Sequence, residues 1–234
     1  MRLLDYWGIH NISTEPTIFL DNNILIGYCF LQDPQHDKSK IIFQKYQYIY
    51  WSKNVRYEFN KKRGIFEELI DNIKITLNSL SNSIDKDDLI NIALEHGKNS
   101  NPYSIIKIVN DIWDENIFKS TESSKNVVIH LEHYKKHFTK KLLKFKAKCY
   151  KLNCHERKDK YLSVEKKLEN CIHGRDSLSI LGNDMNICLD GHDLAKQNGI
   201  SKLIFITDDN YLFQCKSLLE THTKIHGVMS LSEI

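Results

Sequence analysis

Proline and glycine are scarce in this chain, three and nine among 234 residues, which excludes collagen-like repeats and long Pro/Gly linkers. No Gly-rich phosphate-binding loop and no Ser or Cys nucleophile motif occurs. Long hydrophobic runs are also missing: no apolar stretch approaches the roughly 20 residues of a membrane helix. The opening residues, Met1-Arg2-Leu3-Leu4-Asp5-Tyr6-Trp7, lack the apolar core of a signal peptide. The expectation is a cytoplasmic protein with no membrane association. Six cysteines, at 29, 149, 154, 171, 188 and 215, do not form the compact framework of a secreted mini-domain, so reduced thiols are expected. Charge of one sign is lacking too, since a net +3 is too mild to require a nucleic-acid partner. What remains, 41% hydrophobic and 27% charged residues, is the composition of an ordinary globular chain.

The ends of the chain read as α/β. Thr17-Ile18-Phe19-Leu20 runs abruptly into Asp21-Asn22-Asn23, and Leu203-Ile204-Phe205-Ile206 into Thr207-Asp208-Asp209. Apolar, β-branched runs ending in acid are the pattern of buried parallel strands reaching the surface, and open α/β sheets take their ligands at that carboxyl edge. Apolar groups at 24–28 and 41–43 flank a turn at Asp33-Pro34, because proline disfavours helix just before it. Residues 46–51 predict a second strand and Ser52 an N-cap, with Val55, Phe59 and Leu69 continuing as a helix. Near the end, Asn183-Asp184 opens a helix closed by Asn198-Gly199. The 203–207 strand, a helix through Leu212 and Leu219, and a short strand at 227–229 follow. Short links between such elements imply parallel strands with right-handed crossovers.

Between about 65 and 170 helical periodicities follow one another. The clearest is Val128-Leu131-Tyr134-Phe138-Leu142-Phe145-Cys149-Leu152, spaced three or four apart. This block reads as a large all-helical insertion in a single domain covering 1–234.

Four acids fall at comparable places: Asp21 and Asp209 at strand ends, Glu58 early in a helix, and Asp184 in a helix's first turn. Hard cations such as Mg²⁺ take oxygen ligands, keep several waters and use few carboxylates. Such a cluster suits water activation and charge stabilisation during phosphoryl displacement. Taken singly, Asp184 reads equally as a helix N-terminal acid, Asp209 as a loop cap and Glu58 as a solvated helix residue. Around an ideal helix from Asp184, Asp193 falls on the opposite side and Asp190 well away. Asp184 is therefore the preferred third acid and Asp190 the second choice, with Asp193 a bystander.

The set, in this order, resembles the PIN domain family of metal-dependent nucleases. The likeness is carried by Asp21-Asn22-Asn23-Ile24-Leu25-Ile26, by Ser52, Val55 and Glu58, and by Asp184, Ile187 and Gly199 leading to Thr207-Asp208-Asp209. It covers roughly residues 15 to 64 and 176 to 234. It implies a three-layer α/β fold with a central parallel sheet in the order 3-2-1-4-5, and metal-dependent hydrolysis of RNA phosphodiester bonds. It further implies Mg²⁺ or Mn²⁺ held by Asp21, Glu58, Asp184 and Asp209, with Asn23, Thr207, Asp208 and Asp190 auxiliary. A haloacid-dehalogenase-like phosphatase also begins with strand then Asp, but that scheme wants a second acid where Asn23 stands. A non-catalytic PIN-like module that binds RNA or protein is the alternative. An antitoxin-like protein partner and a homodimer stay open at this level.

Lys136, Lys140, Lys144 and Lys148 recur every fourth residue, and from 135 to 160 there are eleven Lys or Arg against two acids. A solvated helix face and a phosphate-tracking ridge are both compatible with that pattern. Arg56, Lys61, Lys62 and Arg63 lie near Glu58 and extend the basic surface on the second reading. Cys149, Cys154, His155, Cys171 and His173 lack the paired knuckle spacing of a zinc site. His130, His133 and His137 share a helix face without an evident carboxylate partner.

Overall fold

The computed structural model describes residues 15–29, 35–98, 102–115, 118, 120–149, 154–169, 172–173, 176–177 and 180–234. Strand β1 (Thr17–Leu20) leads into α1 (Asn22–Cys29), and α2 (His36–Lys45) into β2 (Ile49–Ser52). The turn expected at Asp33-Pro34 lies outside the described residues. The Ser52 hydroxyl accepts a hydrogen bond from the Val55 N–H at 3.2 Å, satisfying one of the helix's orphan donors and starting α3 (Lys53–Ser79).

Then come β3 (Ser83–Ile84), α4 (Lys86–His96), α5 (Pro102–Glu115), β4 (Glu122–Ser123) and α6 (Ser124–Cys149). A reciprocal capping box between Asp85 and Asp88 opens α4, the arrangement that satisfies two helix-end donors at once. Beyond it lie β5 (Cys154–His155), α7 (Leu162–Glu169), β6 (Ile172–His173) and β7 (Asp176–Ser177). The C-terminal part is α8 (Gly182–Gln197), β8 (Leu203–Thr207), α9 (Asn210–Gln214), α10 (Lys216–His222) and β9 (Gly227–Ser230). Gly199, just past the C-cap of α8, has φ +60°, the left-handed conformation that favours glycine.

The central sheet is parallel throughout, in the order β5-β2-β1-β8-β9. Its middle strand, β1, is bracketed in register: Phe19 lies opposite Tyr50 on one side and Phe205 on the other. Ile18, Phe19, Leu20, Phe205 and Ile206 are fully buried, as strands covered on both faces require. Counted along the whole chain the order is not the expected 3-2-1-4-5, because β3 and β4 precede the edge strand and β6 and β7 precede β8.

The insertion is not all-helical as expected. β3 and β4 form an antiparallel pair, and β5 rejoins the central sheet by pairing Trp51 with Cys154 and Ser52 with His155. A two-residue strand is too short to show a period of two, so hydrophobic patterning cannot reveal it. The helical part is held to the core along α3 and α6. Phe66 of α3 meets Tyr134 and Phe138 of α6, with ring centroids 5.7 and 5.3 Å apart. Lys135 pairs with Asp71, and Lys74 with Glu132. Among the described residues no helix is long and apolar enough to cross a membrane.

Candidate active site

Register brings the first two acids together. Leu20 lies opposite Ile206, and the Asp21 N–H extends the ladder by donating to the Ile206 carbonyl at 3.0 Å. Asp21 therefore leaves its strand beside Thr207. The buried Thr207 hydroxyl donates to Asp21 Oδ2 at 2.7 Å and accepts from the Asp209 N–H at 2.9 Å. One hydroxyl thus links both strand-end acids. Asp21 is 4% exposed, and its other oxygen accepts from the Asn22 N–H at 2.6 Å. Burial pushes the Asp21 pKa up to about 6, the charges of Glu58 and Asp184 adding to the rise while the Thr207 and Asn22 hydrogen bonds oppose it.

Asp209 caps α9, its Oδ1 accepting from the Tyr211 and Leu212 N–H groups at 2.8 and 3.0 Å. Asp184 stands in the first turn of α8. Its pKa is raised by burial first, then by the charges of Asp209 and Glu58, with Lys62 pulling the other way. Glu58 is fixed by the Asn183 amide, which donates to its Oε2 at 3.0 Å; this joins α3 to the start of α8. Lys62, one turn beyond Glu58, holds its ammonium 3.6 Å from Glu58 Oε1 and 3.5 Å from Asn23 Oδ1. The four predicted acids thus form one electrostatically coupled group at the carboxyl edge of β1 and β8. Asp208 is exposed beside them.

Among the described residues no group of three or more His, Cys, Asp and Glu side chains is set to hold a metal ion directly. The donor chemistry nevertheless suits a hard divalent cation. All the offered atoms are oxygens, and Mg²⁺ is ordinarily held by one or two carboxylates with waters filling the remaining positions. The Asn22 amide, 1% exposed and with neither polar atom hydrogen-bonded, sits directly after Asp21. A buried amide without a partner is where ordered water belongs.

Asp190 and Asp193 belong elsewhere. Asp190 accepts from the Asn54 amide at 2.8 Å and lies 3.4 Å from the Arg157 guanidinium, its pKa raised by burial against the opposing pull of Ser52, Asn54 and Arg157. Asp193 does turn away from the site, but it is no bystander. Fully buried, it accepts from the Tyr161 hydroxyl and the Lys158 N–H and pairs with His155 Nε2 at 2.7 Å. Burial pushes its pKa up, yet the Tyr161 and His155 hydrogen bonds outweigh this and leave it below the ordinary value. A helical angle tells which way Asp193 points, not what is packed there.

Lys136 and Lys140 are exposed on α6, whereas the side chains of Lys144 and Lys148 lie outside the described residues. The side chains of Cys149, Cys171 and His173 lie outside them as well. Sequence reasoning missed Asn183 as a partner of Glu58 and did not see Lys62 inside the cluster; its place one turn after Glu58 was the available signal. No protein-family model matches the chain, and searches of the curated proteins and of the solved structures found no match.

Proposed function

We propose that this chain is a metal-dependent nuclease of the PIN type, hydrolysing RNA phosphodiester bonds at the Asp21, Glu58, Asp184 and Asp209 cluster. The observation that carries the reading is the single hydroxyl of Thr207, which ties Asp21 to the Asp209 backbone across two adjacent parallel strands while Glu58 and Asp184 add their charge from two helices. Sheet order supports it: counting only the five strands of the central sheet, β5-β2-β1-β8-β9 is third, second, first, fourth, fifth.

In this reading the chain's own groups orient and polarise. Thr207 fixes the rotamer of Asp21, and Asn183 fixes Glu58. Asp209 is held in place by two backbone N–H groups. A Mg²⁺ or Mn²⁺ ion held by these oxygens would supply charge neutralisation at the phosphoryl group and an activated water. A non-catalytic RNA-binding module is the second reading, favoured by the lack, among the described residues, of a group of acids set to ligate a metal directly.

The deciding experiment is cleavage of a panel of single-stranded and structured RNAs and single-stranded DNA with Mg²⁺ and Mn²⁺. Wild type should cut RNA, EDTA should abolish cutting, and Asp209→Asn should remain folded and lose activity by about 10²-fold or more. Folded protein that binds RNA but cuts nothing with either metal selects the second reading. Cutting that persists in both Asp21→Asn and Asp209→Asn identifies a contaminant.

A further inference from the structure

Lys62 is the cation nearest the acids among the described residues, and its position is specific. It lies on α3 four residues after Glu58, so its side chain lies along the same helix face. Its ammonium stands 3.6 Å from Glu58 Oε1 and donates to Asn23 Oδ1 on α1 at 3.5 Å. The contact spans two helices, at the point where α1 leaves Asp21. The side chain is 46% exposed, so it can withdraw into solvent without disturbing the core. Its charge is also felt by Asp184 across the cluster.

We propose that the Lys62 ammonium is the resident counter-cation of the acid cluster, and that a divalent ion binding there must displace it. This rests on the reading of the cluster as a divalent-cation site. The physical case is one of shared space and charge. An ammonium is a compact point charge on a flexible four-carbon stem, able to offset gathered carboxylates in the absence of metal and to leave when a stronger cation arrives. A divalent ion drawn to Glu58 would come close to the ammonium that stands 3.6 Å from Oε1, and a monovalent and a divalent cation beside the same carboxylates repel each other. Lys62 therefore lowers the affinity for the divalent ion and sets the concentration at which the site fills. Lys61, the preceding residue in the chain and exposed, is directed about 100° away around the helix and shares the net charge but not the position.

The test is Mn²⁺ titration of the full chain, with free Mn²⁺ followed by electron paramagnetic resonance. Wild type, Lys62→Gln, Lys62→Arg, Lys61→Gln and Asp21→Asn are compared, each checked for folding by circular dichroism. Lys62→Gln should bind roughly tenfold tighter than wild type, while Lys62→Arg and Lys61→Gln stay within about threefold of it. A second measurement uses no variant of Lys62: acylation of its amine, followed by mass spectrometry, should accelerate when Mn²⁺ is added to wild type and not when it is added to Asp21→Asn. Equal or weaker Mn²⁺ binding by Lys62→Gln, with Asp21→Asn deficient, overturns the role of Lys62 and leaves the metal site standing. Absence of Mn²⁺ binding in wild type and Lys62→Gln alike overturns the metal site and this proposal with it.

Discussion

Asp21 shows how burial of a carboxylate is traded for proton affinity. Its pKa rises from 3.8 to about 6 on folding, so the folded state holds the proton more tightly than the unfolded chain. The stability this confers is full below pH 3.8 and lost as pH rises through about 6, the gap corresponding to roughly 3 kcal/mol. Asp21→Asn keeps the size and an acceptor for the Thr207 hydroxyl but has no charge to desolvate. In EDTA, the variant should therefore be more stable than wild type at pH 7, with the advantage shrinking steadily towards pH 4. Urea unfolding across that range measures it. An advantage that does not change with pH would mean that Asp21 ionises as freely in the folded protein as in the unfolded one. On the proposal that the cluster holds a divalent ion, saturating Mn²⁺ should reverse the order at pH 7, because only wild type would gain the binding free energy of the ion.

At the scale of elements, α8 is the piece on which two polar systems meet. Its first turn presents Asp184 to the acid cluster. Its last turns present Asp193 to the segment that carries β5 and Tyr161. Near its middle, Gly191 lies against Phe19, where a Cβ would come within 3.2 Å of the ring, which lets α8 approach the central strand closely. Asp193→Asn removes the carboxylate charge and leaves one acceptor oxygen where two now serve the Tyr161 hydroxyl, His155 Nε2 and the Lys158 N–H, in a position with no access to water. Breaking such a pair leaves buried groups uncompensated, so a loss of about 2 to 4 kcal/mol is expected by chemical denaturation. Because the Asp193 pKa is held below its unfolded value of 3.8, its contribution is present above that pH and fades as pH falls further. A variant as stable as wild type at pH 7 would show that the buried contacts are not formed in solution.

What was legible in the sequence follows from the length of each pattern. β1 and β8 announce themselves as apolar runs closed by acid, and Ser52 as a cap, because those signals are local. The start of α8 with its acid was legible for the same reason. β5 was not, since two residues carry no period, and neither was the unbroken run of α3 through its 27 residues. The Asp193 network escaped because it joins residues from 155 to 193 whose meeting depends on how β5 docks beside β2. Lys62 was visible as a basic residue near Glu58, but only geometry puts its ammonium between Glu58 and Asn23.

On the scale of the whole molecule the question is where a polyanion would lie. The net charge of +3 is a small sum over an uneven distribution. The carboxyl edge of β1 and β8 is acidic, while α6 carries exposed Lys136 and Lys140 and the further lysines 144 and 148. Not every lysine of that helix is available: Lys135 is tied to Asp71 of α3 at 2.5 Å and belongs to the seam between the two helices. Exposed lysines contribute little to folding stability, so Lys136 and Lys140 can be replaced without confounding the result. Replacing Lys136 and Lys140 with Gln should leave the melting temperature nearly unchanged. Single-stranded RNA affinity at low salt should fall, and the log–log salt dependence should flatten by about 0.7 for each phosphate that is no longer neutralised. Fluorescence anisotropy in EDTA, across a range of KCl, separates this from cutting. A salt slope equal to that of wild type would show that these lysines form a solvated face, and would leave Lys62 beside Glu58, with Arg56 and Lys61 elsewhere on α3, as the basic groups to replace next.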